Sequence, residues 1–370
     1  MDKLIKVNIL DFDDIRNPLL NAGQARSTYE VAKRLVKRGV GVTVVSSKYP
    51  GYTDRIENGI KYNHIGITTN NIKLNNIIYI LSLPFAVMRI KCDLIVECMT
   101  PPISTLLTPL FTKIPVVLLP SMFNAEEFSK KYHLPFHLIE KAGMKLYRHM
   151  MPYSDTDFAK ARKMNPKIHG RKIAQGVARE YFKIAHKKPK HILFLGRLDM
   201  AQKGIDLLLE SYAKVKNQIG YPLVIAGHGP DESKIKRLIN ELGLNDQVKL
   251  IGPVYNSIKN RLISESLFVA FPSRHDEMSL WSLEALASGM PLAIFDLPEF
   301  SWAENKIVFK AKAYSTDSYA KILIKTGRAA NNPDLRKACR NFAKKYSWED
   351  VAREYKTYFT DILKEKRVRN

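Results

Sequence analysis

Cysteine is scarce in this 370-residue sequence, and Cys92, Cys98 and Cys339 form neither a CxxC pair nor a metal-ligand spacing. That excludes a disulfide framework and a zinc module, and a reducing cytoplasm is the simplest setting. Long apolar runs are missing as well. The longest, IIYILSLPFAVM at 77–88, is too short to span a bilayer and contains Pro84. The first apolar run is cut by Asp11, Asp13 and Asp14, so no secretory signal is legible. No internal repeat or low-complexity tract stands out. Glycine and proline are at ordinary levels and 45% of residues are hydrophobic, which excludes a disordered chain.

Acidic residues are outnumbered, 36 against 59 basic ones, for a net charge of +23. The excess is uneven. Residues 1–185 carry 28 Lys and Arg against 15 Asp and Glu, residues 186–300 carry 14 against 13, and residues 301–370 carry 17 against 8. The densest block, 141–190, has 14 basic residues against 3 acidic. A field of this kind attracts polyanions, either nucleic acid or an anionic lipid surface. A merely basic, solvated surface is the plainer alternative.

Strand and helix patterns alternate from end to end, as in parallel sheets covered by helices. VNILDF (7–12) reads as a first strand; Ala25, Thr28, Ala32, Leu35 and Val36 then recur at helical spacing. VGVTVVSS (40–47), DLIVE (93–97) and PVVLL (115–119) read as later strands. The polar, proline-marked segment 183–190 (KIAHKKPK) is the best linker candidate, after which the alternation restarts. Length and pattern predict two α/β domains, 1–185 and 186–346, with a cleft between them.

The most informative stretch is PSRHDEMSLWSLEALASGMPL at 272–292. It opens where the apolar run LFVAF (267–271) stops, and it continues as an amphipathic helix closed by Gly289. Asp276 and Glu277 fall in the strand's exit loop. The amides of Ser279 and Leu280 lie near the helix N-terminus, and Glu284 lies one to two turns in. Unpaired N–H groups and a positive dipole end suit a phosphate, while the flanking carboxylates suit sugar and ribose hydroxyls. Solvated capping acids are the plainer alternative. In FLGRLDMAQKG (194–204), Gly196 and Arg197 follow a strand, with Lys203 and Gly204 in the next loop. Two such cations offset a diphosphate, Arg as a bidentate fork and Lys as a point charge, unless both are simply solvated. AGHGPDESKI (226–235) brings Gly227 and Gly229 into a turn where Asp231 is placed to cap the following helix.

Together these segments resemble a retaining glycosyltransferase of the GT-B fold, similar to glycosyltransferase family 4. The resemblance rests on GRL…KG at 196–204, AGHGP at 226–230, the strand and turn at 248–254, and PSR…LEALASG at 272–289. QGV (175–177) and SWEDVAREY (347–355) add to it, as does Gly23 in the loop after the first strand. It implies an α/β architecture of two Rossmann-like doubly wound domains facing an interdomain cleft. The first is the acceptor side and the second binds the donor, with a final helix (347–370) packed back on the first. It further implies that Arg197 and Lys203 bind the donor diphosphate and that Glu284 holds the ribose hydroxyls. Main-chain groups around Val254 would contact the base. Gly23, Gly196, Gly227, Met278, Ser279 and Leu280 would complete the donor site. The family's paired glutamates begin here at Asp276, one methylene shorter, and Glu277 is placed to share its role. Met278-Ser279 stands where the family often has Phe-Gly.

On the acceptor side the family's usual histidine is missing from PVVLLPSMFNAEEF (115–128), which leaves Asn124, Glu126 and Glu127 as polar candidates. His133 and His137 read as ordinary surface or core-edge histidines. No catalytic base is named. Asp11, Asp13 and Asp14 lack phosphate partners, and no DxD-like run stands at a suitable strand end, so no metal or other cofactor is expected. The segment 133–150 interleaves apolar residues with Lys141, Lys145 and Arg148, as surface attachment to an anionic membrane requires. The expectation is a metal-independent transferase taking a sugar from a nucleotide-diphosphate sugar to a lipid-linked or glycan acceptor. It would work in the cytoplasm, held at the inner face of the cytoplasmic membrane, in cell-envelope polysaccharide synthesis. The alternatives are a GT-B transferase with a soluble acceptor, and a basic nucleic-acid-binding protein. No recognisable binding module interleaves aromatics with cations, which argues against nucleic acid.

Overall fold

The computed structural model describes residues 4–369 apart from 21–22, 100–106, 121–122, 124, 277 and 305. Two compact units emerge, one of residues 1–175 with 348–370 and one of residues 176–347.

The first unit is built on strands β1 (Ile5–Leu10), β2 (Val40–Ser47), β3 (Arg55–Glu57), β4 (Ile60–Ile65), β5 (Leu94–Cys98), β6 (Val116–Leu119), β7 (His149–Met150) and β8 (His169–Gly170). They form one sheet in the order β3-β4-β2-β1-β5-β6-β7-β8, parallel throughout except for the β3–β4 hairpin. Its helices are α1 (Gly23–Lys37), α2 (Ile72–Arg89), α3 (Ala125–Tyr132), α4 (Phe136–Met144) and α5 (Asp155–Met164). Leu10, Val45, Ile95 and Leu118 from the sheet pack with Tyr79, Leu83 and Met144 from the helices. Burial on both faces is why the central strands read as unbroken apolar runs. The segment 133–150 divides: α4 ends at Met144, and His149–Met150 joins the sheet beside β6.

At the exit of β1 the acids are consumed internally. Thr28 Oγ1 of α1 donates to Asp11 Oδ2 at 2.5 Å, and burial pushes the Asp11 carboxyl up to about 6. Asp14 is buried. Burial alone would raise its carboxyl, but the hydrogen bonds of His64 and Arg55 outweigh that and hold it well below the usual range.

The second unit has strands β9 (His191–Leu195), β10 (Leu223–Ala226), β11 (Val248–Leu250), β12 (Ser266–Phe271), β13 (Leu292–Phe295) and β14 (Val308–Ala311), all parallel, in the order β11-β10-β9-β12-β13-β14. Helices α6 (Met200–Lys203), α7 (Ile205–Ile219), α8 (Glu232–Glu241), α9 (Asn256–Ser264), α10 (Leu280–Ala287), α11 (Thr316–Ala329) and α12 (Pro333–Ala343) connect them. The strand order reverses between β9 and β12. In open parallel sheets the ligand crevice lies outside the carboxyl ends of the strands at that reversal.

The segment expected as a linker is part of the second unit. Val177 N donates to Tyr346 O at 2.7 Å, Tyr181 is buried, and the amides of Lys187 and Lys190 bond to Ser264 O and Glu265 O. Proline and charge flagged 183–190 as free chain, but its backbone hydrogen bonds to residues some 75 positions away are invisible to a local pattern. The last helix, α13 (Trp348–Arg369), belongs to the first unit, where Arg34 Nε donates to Glu349 Oε1 at 2.9 Å and Lys356 Nζ to Arg38 O at 2.6 Å.

Candidate functional site at the strand ends of the second unit

Three strand exits are stitched together by main-chain bonds. Gly196 N donates to Ala226 O at 3.0 Å, Leu198 N to His228 O at 2.9 Å, and Gly227 N to Gly252 O at 2.7 Å. Gly227 has φ +150°, and a Cβ there would lie 1.8 Å from Gly196 O, so the turn closes only with glycine. Asp231 does not cap its own helix through its side chain. Its Oδ2 accepts from Met200 N at 2.9 Å and its Oδ1 from Lys234, tying the second exit to the first.

The fourth exit, after β12, is locked against the first. Gly204 has φ +62°, and a Cβ there would lie 2.2 Å from Pro272 O. Arg274 holds Asp206 bidentately at 2.6 and 2.7 Å and donates to Met200 O at 2.5 Å. This framework brings Lys203 and Asp276 together as a largely buried ion pair, with Ser273 Oγ donating to Asp276 Oδ2 at 3.1 Å. Lys203 Nζ also sits 5.7 Å from the centre of the Phe271 ring. Arg197 is exposed and, among the described residues, makes no ion pair.

Leu280 opens α10, with Ser279 at its N-cap in extended conformation and no side-chain cap bond. The first-turn amides of Leu280, Trp281 and Ser282 therefore have no partner within the helix, which is what an anion site requires. Met278 is buried, and Val254 is half-buried at the exit of β11. Glu277 lies outside the described residues. So does Asn124 of the first unit, and nothing is described of the Glu127 side chain.

Glu284 is not free. Lys259, from α9, donates to Glu284 Oε2 at 2.5 Å and to Tyr181 Oη at 2.9 Å, with its Nζ 5.2 Å from the centre of the Trp281 ring. The two charged side chains are 16% and 17% exposed. Sequence reasoning missed Lys259 altogether, since a single lysine on a polar helix carries no signal of its own.

In the first unit Gly23 is exposed at the head of α1 and Glu126 is exposed on α3. His133 has φ +54° and is exposed, while His137 Nδ1 is 3.0 Å from Ser129 Oγ. These fit their reading as ordinary surface histidines. Gln175 Oε1 accepts from Ser27 Oγ at 2.7 Å.

Residues 178–346 match the model of the family described as glycosyl transferases group 1. An uncharacterized glycosyltransferase of Methanocaldococcus jannaschii is 28% identical over 169 residues, 45% of this chain and 43% of that one. A GDP-mannose:cellobiosyl-diphosphopolyprenol alpha-mannosyltransferase of Xanthomonas oryzae is 27% identical over 181 residues, 46% of this chain and 47% of that one. This chain thus matches less than half the length of these relatives. Among solved structures, the sucrose-phosphate synthase of Thermosynechococcus elongatus superposes with a TM-score of 0.78 at 15% identity, covering 98% of this chain and 100% of that one.

Proposed function

From a chain of GT-B fold whose residues 178–346 form a glycosyl transferases group 1 domain, we propose a transferase that carries a sugar from a nucleotide-diphosphate donor to a hydroxyl acceptor with retention of configuration. One observation carries this reading. The Lys203–Asp276 pair joins the segments that follow β9 and β12, the two strands at the order reversal, and the second of these segments leads into a helix N-terminus with no side-chain cap bond among the described residues.

Each element has a task. Arg197 and Lys203 offset the charge on the diphosphate, and the amides of Ser279 and Leu280 donate to a phosphate oxygen. Glu284 takes the ribose hydroxyls once Lys259 yields it, and Asp276 takes hydroxyls of the sugar. The bond from the anomeric carbon to the phosphate oxygen breaks, and the bond to the acceptor oxygen forms on the same face. The acceptor's proton passes to the departing phosphate oxygen, so no protein base is needed. The protein supplies positioning and charge stabilisation.

We place the acceptor on a lipid carrier at an anionic membrane surface on the cytoplasmic side. The name of the Xanthomonas relative, with a diphosphopolyprenol acceptor, supports this, as does the net charge of +23. Thermal shifts with a panel of UDP-, GDP- and ADP-sugars test the donor half, because a ligand bound to the folded state raises its melting temperature by mass action. One donor class should stabilise the second unit. A flat response to every nucleotide and nucleotide sugar would remove the reading.

A further inference from the structure

Helix α2 is apolar on both sides, although only one side is buried. Asn75, Tyr79, Leu83 and Val87 pack into the first unit. On the opposite face Leu74, Ile77, Leu81, Phe85 and Met88 follow one another at spacings of three and four. The last four of these are between 54% and 63% exposed. A helix facing water ordinarily carries polar residues there. Here the stripe runs for about 21 Å at 1.5 Å per residue with no charged side chain between Leu74 and Met88.

The two side-chain hydroxyls of the helix are already satisfied by protein. Tyr79 Oη donates inward to Val45 O at 3.0 Å, and Ser82 Oγ donates to its own helix at Ile78 O, 2.7 Å away. The surface therefore presents no unmet hydroxyl to a hydrocarbon phase. The 3-10 turn Thr108–Leu110 packs against α2 and adds Leu110, itself 60% exposed. Cations stand at the ends of the helix, Lys73 at the start and Arg89 and Lys91 at the finish, with no acid within it.

We infer that α2 lies in the surface of an anionic bilayer, with Leu81 and Phe85 inserted among the acyl chains and the flanking cations at the headgroups. Apolar residues along one face with basic residues at the margins are what an interfacial helix needs. A second copy of this chain fits the stripe poorly, because two bodies of +23 repel. The inference deepens the membrane-surface reading above and rests on it. It adds that attachment is partly apolar, so part of it outlasts high salt.

Co-sedimentation with phosphatidylglycerol vesicles tests it, using three chains: the wild type, Leu81→Glu/Phe85→Glu, and a variant neutralised at the exposed Lys160, Arg162, Lys163 and Lys167. The double variant should partition at least about tenfold less than wild type, given the apolar area lost from insertion. It should still respond normally to donor nucleotide, which reports that it is folded. Independently, Phe85→Trp should add blue-shifted emission that brominated acyl chains quench. If the double variant pellets like wild type and the added emission goes unquenched, α2 is not the inserting element. Release of only the neutralised variant would then keep a purely electrostatic attachment. If the wild type itself ignores the vesicles, the membrane reading falls with the inference. Loss of a dimer instead, seen by light scattering of the double variant, would assign the stripe to a second copy and overturn the proposal.

Discussion

Lys259 Nζ lies 2.5 Å from Glu284 Oε2, so the carboxylate read as the ribose ligand is held by a lysine from the neighbouring helix. Removing the lysine leaves a largely buried carboxylate without its charge partner. Lys259→Met should destabilise the second unit by about 1–3 kcal/mol, and adding Glu284→Gln should recover part of the loss. Urea unfolding of the four-member cycle measures the coupling. Simple additivity would show that the pair is energetically idle.

The two carboxylates should divide the donor between them. Glu284→Gln weakens binding of the free nucleotide diphosphate, whereas Asp276→Asn leaves that affinity nearly unchanged and lowers turnover. Isothermal titration with the nucleotide alone separates them, and equal losses in both would end the division of labour.

Arg197 and Lys203 differ in a way that the structure makes measurable. Replacing either by Ala should remove about 2–4 kcal/mol of transition-state stabilisation, like losing one preorganised donor. Only Lys203→Ala should also lower the melting temperature, because it strips Asp276 of its partner, while Arg197 makes no ion pair among the described residues. Wild-type turnover in both variants would take the diphosphate away from this pair.

The product should keep the donor's anomeric configuration, and activity should persist in EDTA. Asp11 and Asp14, the acids nearest a metal-binding pattern, are engaged by Thr28, His64 and Arg55. An inverted anomer in the product's NMR spectrum, or activity restored only by a divalent ion, would move the chemistry to another class.

His186 should make the second unit acid-sensitive. Its Nε2 faces Ser288 O at 2.5 Å, which only accepts, and its Nδ1 faces Arg336 at 2.8 Å, which only donates. The ring is therefore neutral. Burial first, and the Arg336 charge second, depress it to about 4. A histidine depressed in the folded state gives stability that is present above its unfolded value near 6.5 and lost as pH falls toward 4. The melting temperature of the second unit should decline across that window, and the decline should shrink in His186→Gln. Identical pH profiles would mean the ring titrates normally.

The alternation of strands and helices was legible because it is written in local periodicity. Strand β2 falls on the expected residues 40–47, and β12 and α10 bracket the exit loop that carries Asp276. Glycine positions were legible for the same reason, although the sequence pattern showed a turn at Gly227 without showing what it turns against. The exposed face of helix α2 was not legible, because the all-apolar run at 77–88 shows only that it is too short to span a bilayer and does not say which side the fold will cover.

The amino-acid sequence by itself determined the two doubly wound units, the strand-end motifs and the basic character, since each depends on residues close together in the chain. Only the tertiary structure decided the partners. Lys203 meets Asp276 across 73 residues and Lys259 meets Glu284 across 25, because strand order sets which exit loops and helices adjoin. Charge pairing over such separations follows from the sheet's topology and leaves no periodic trace in the sequence.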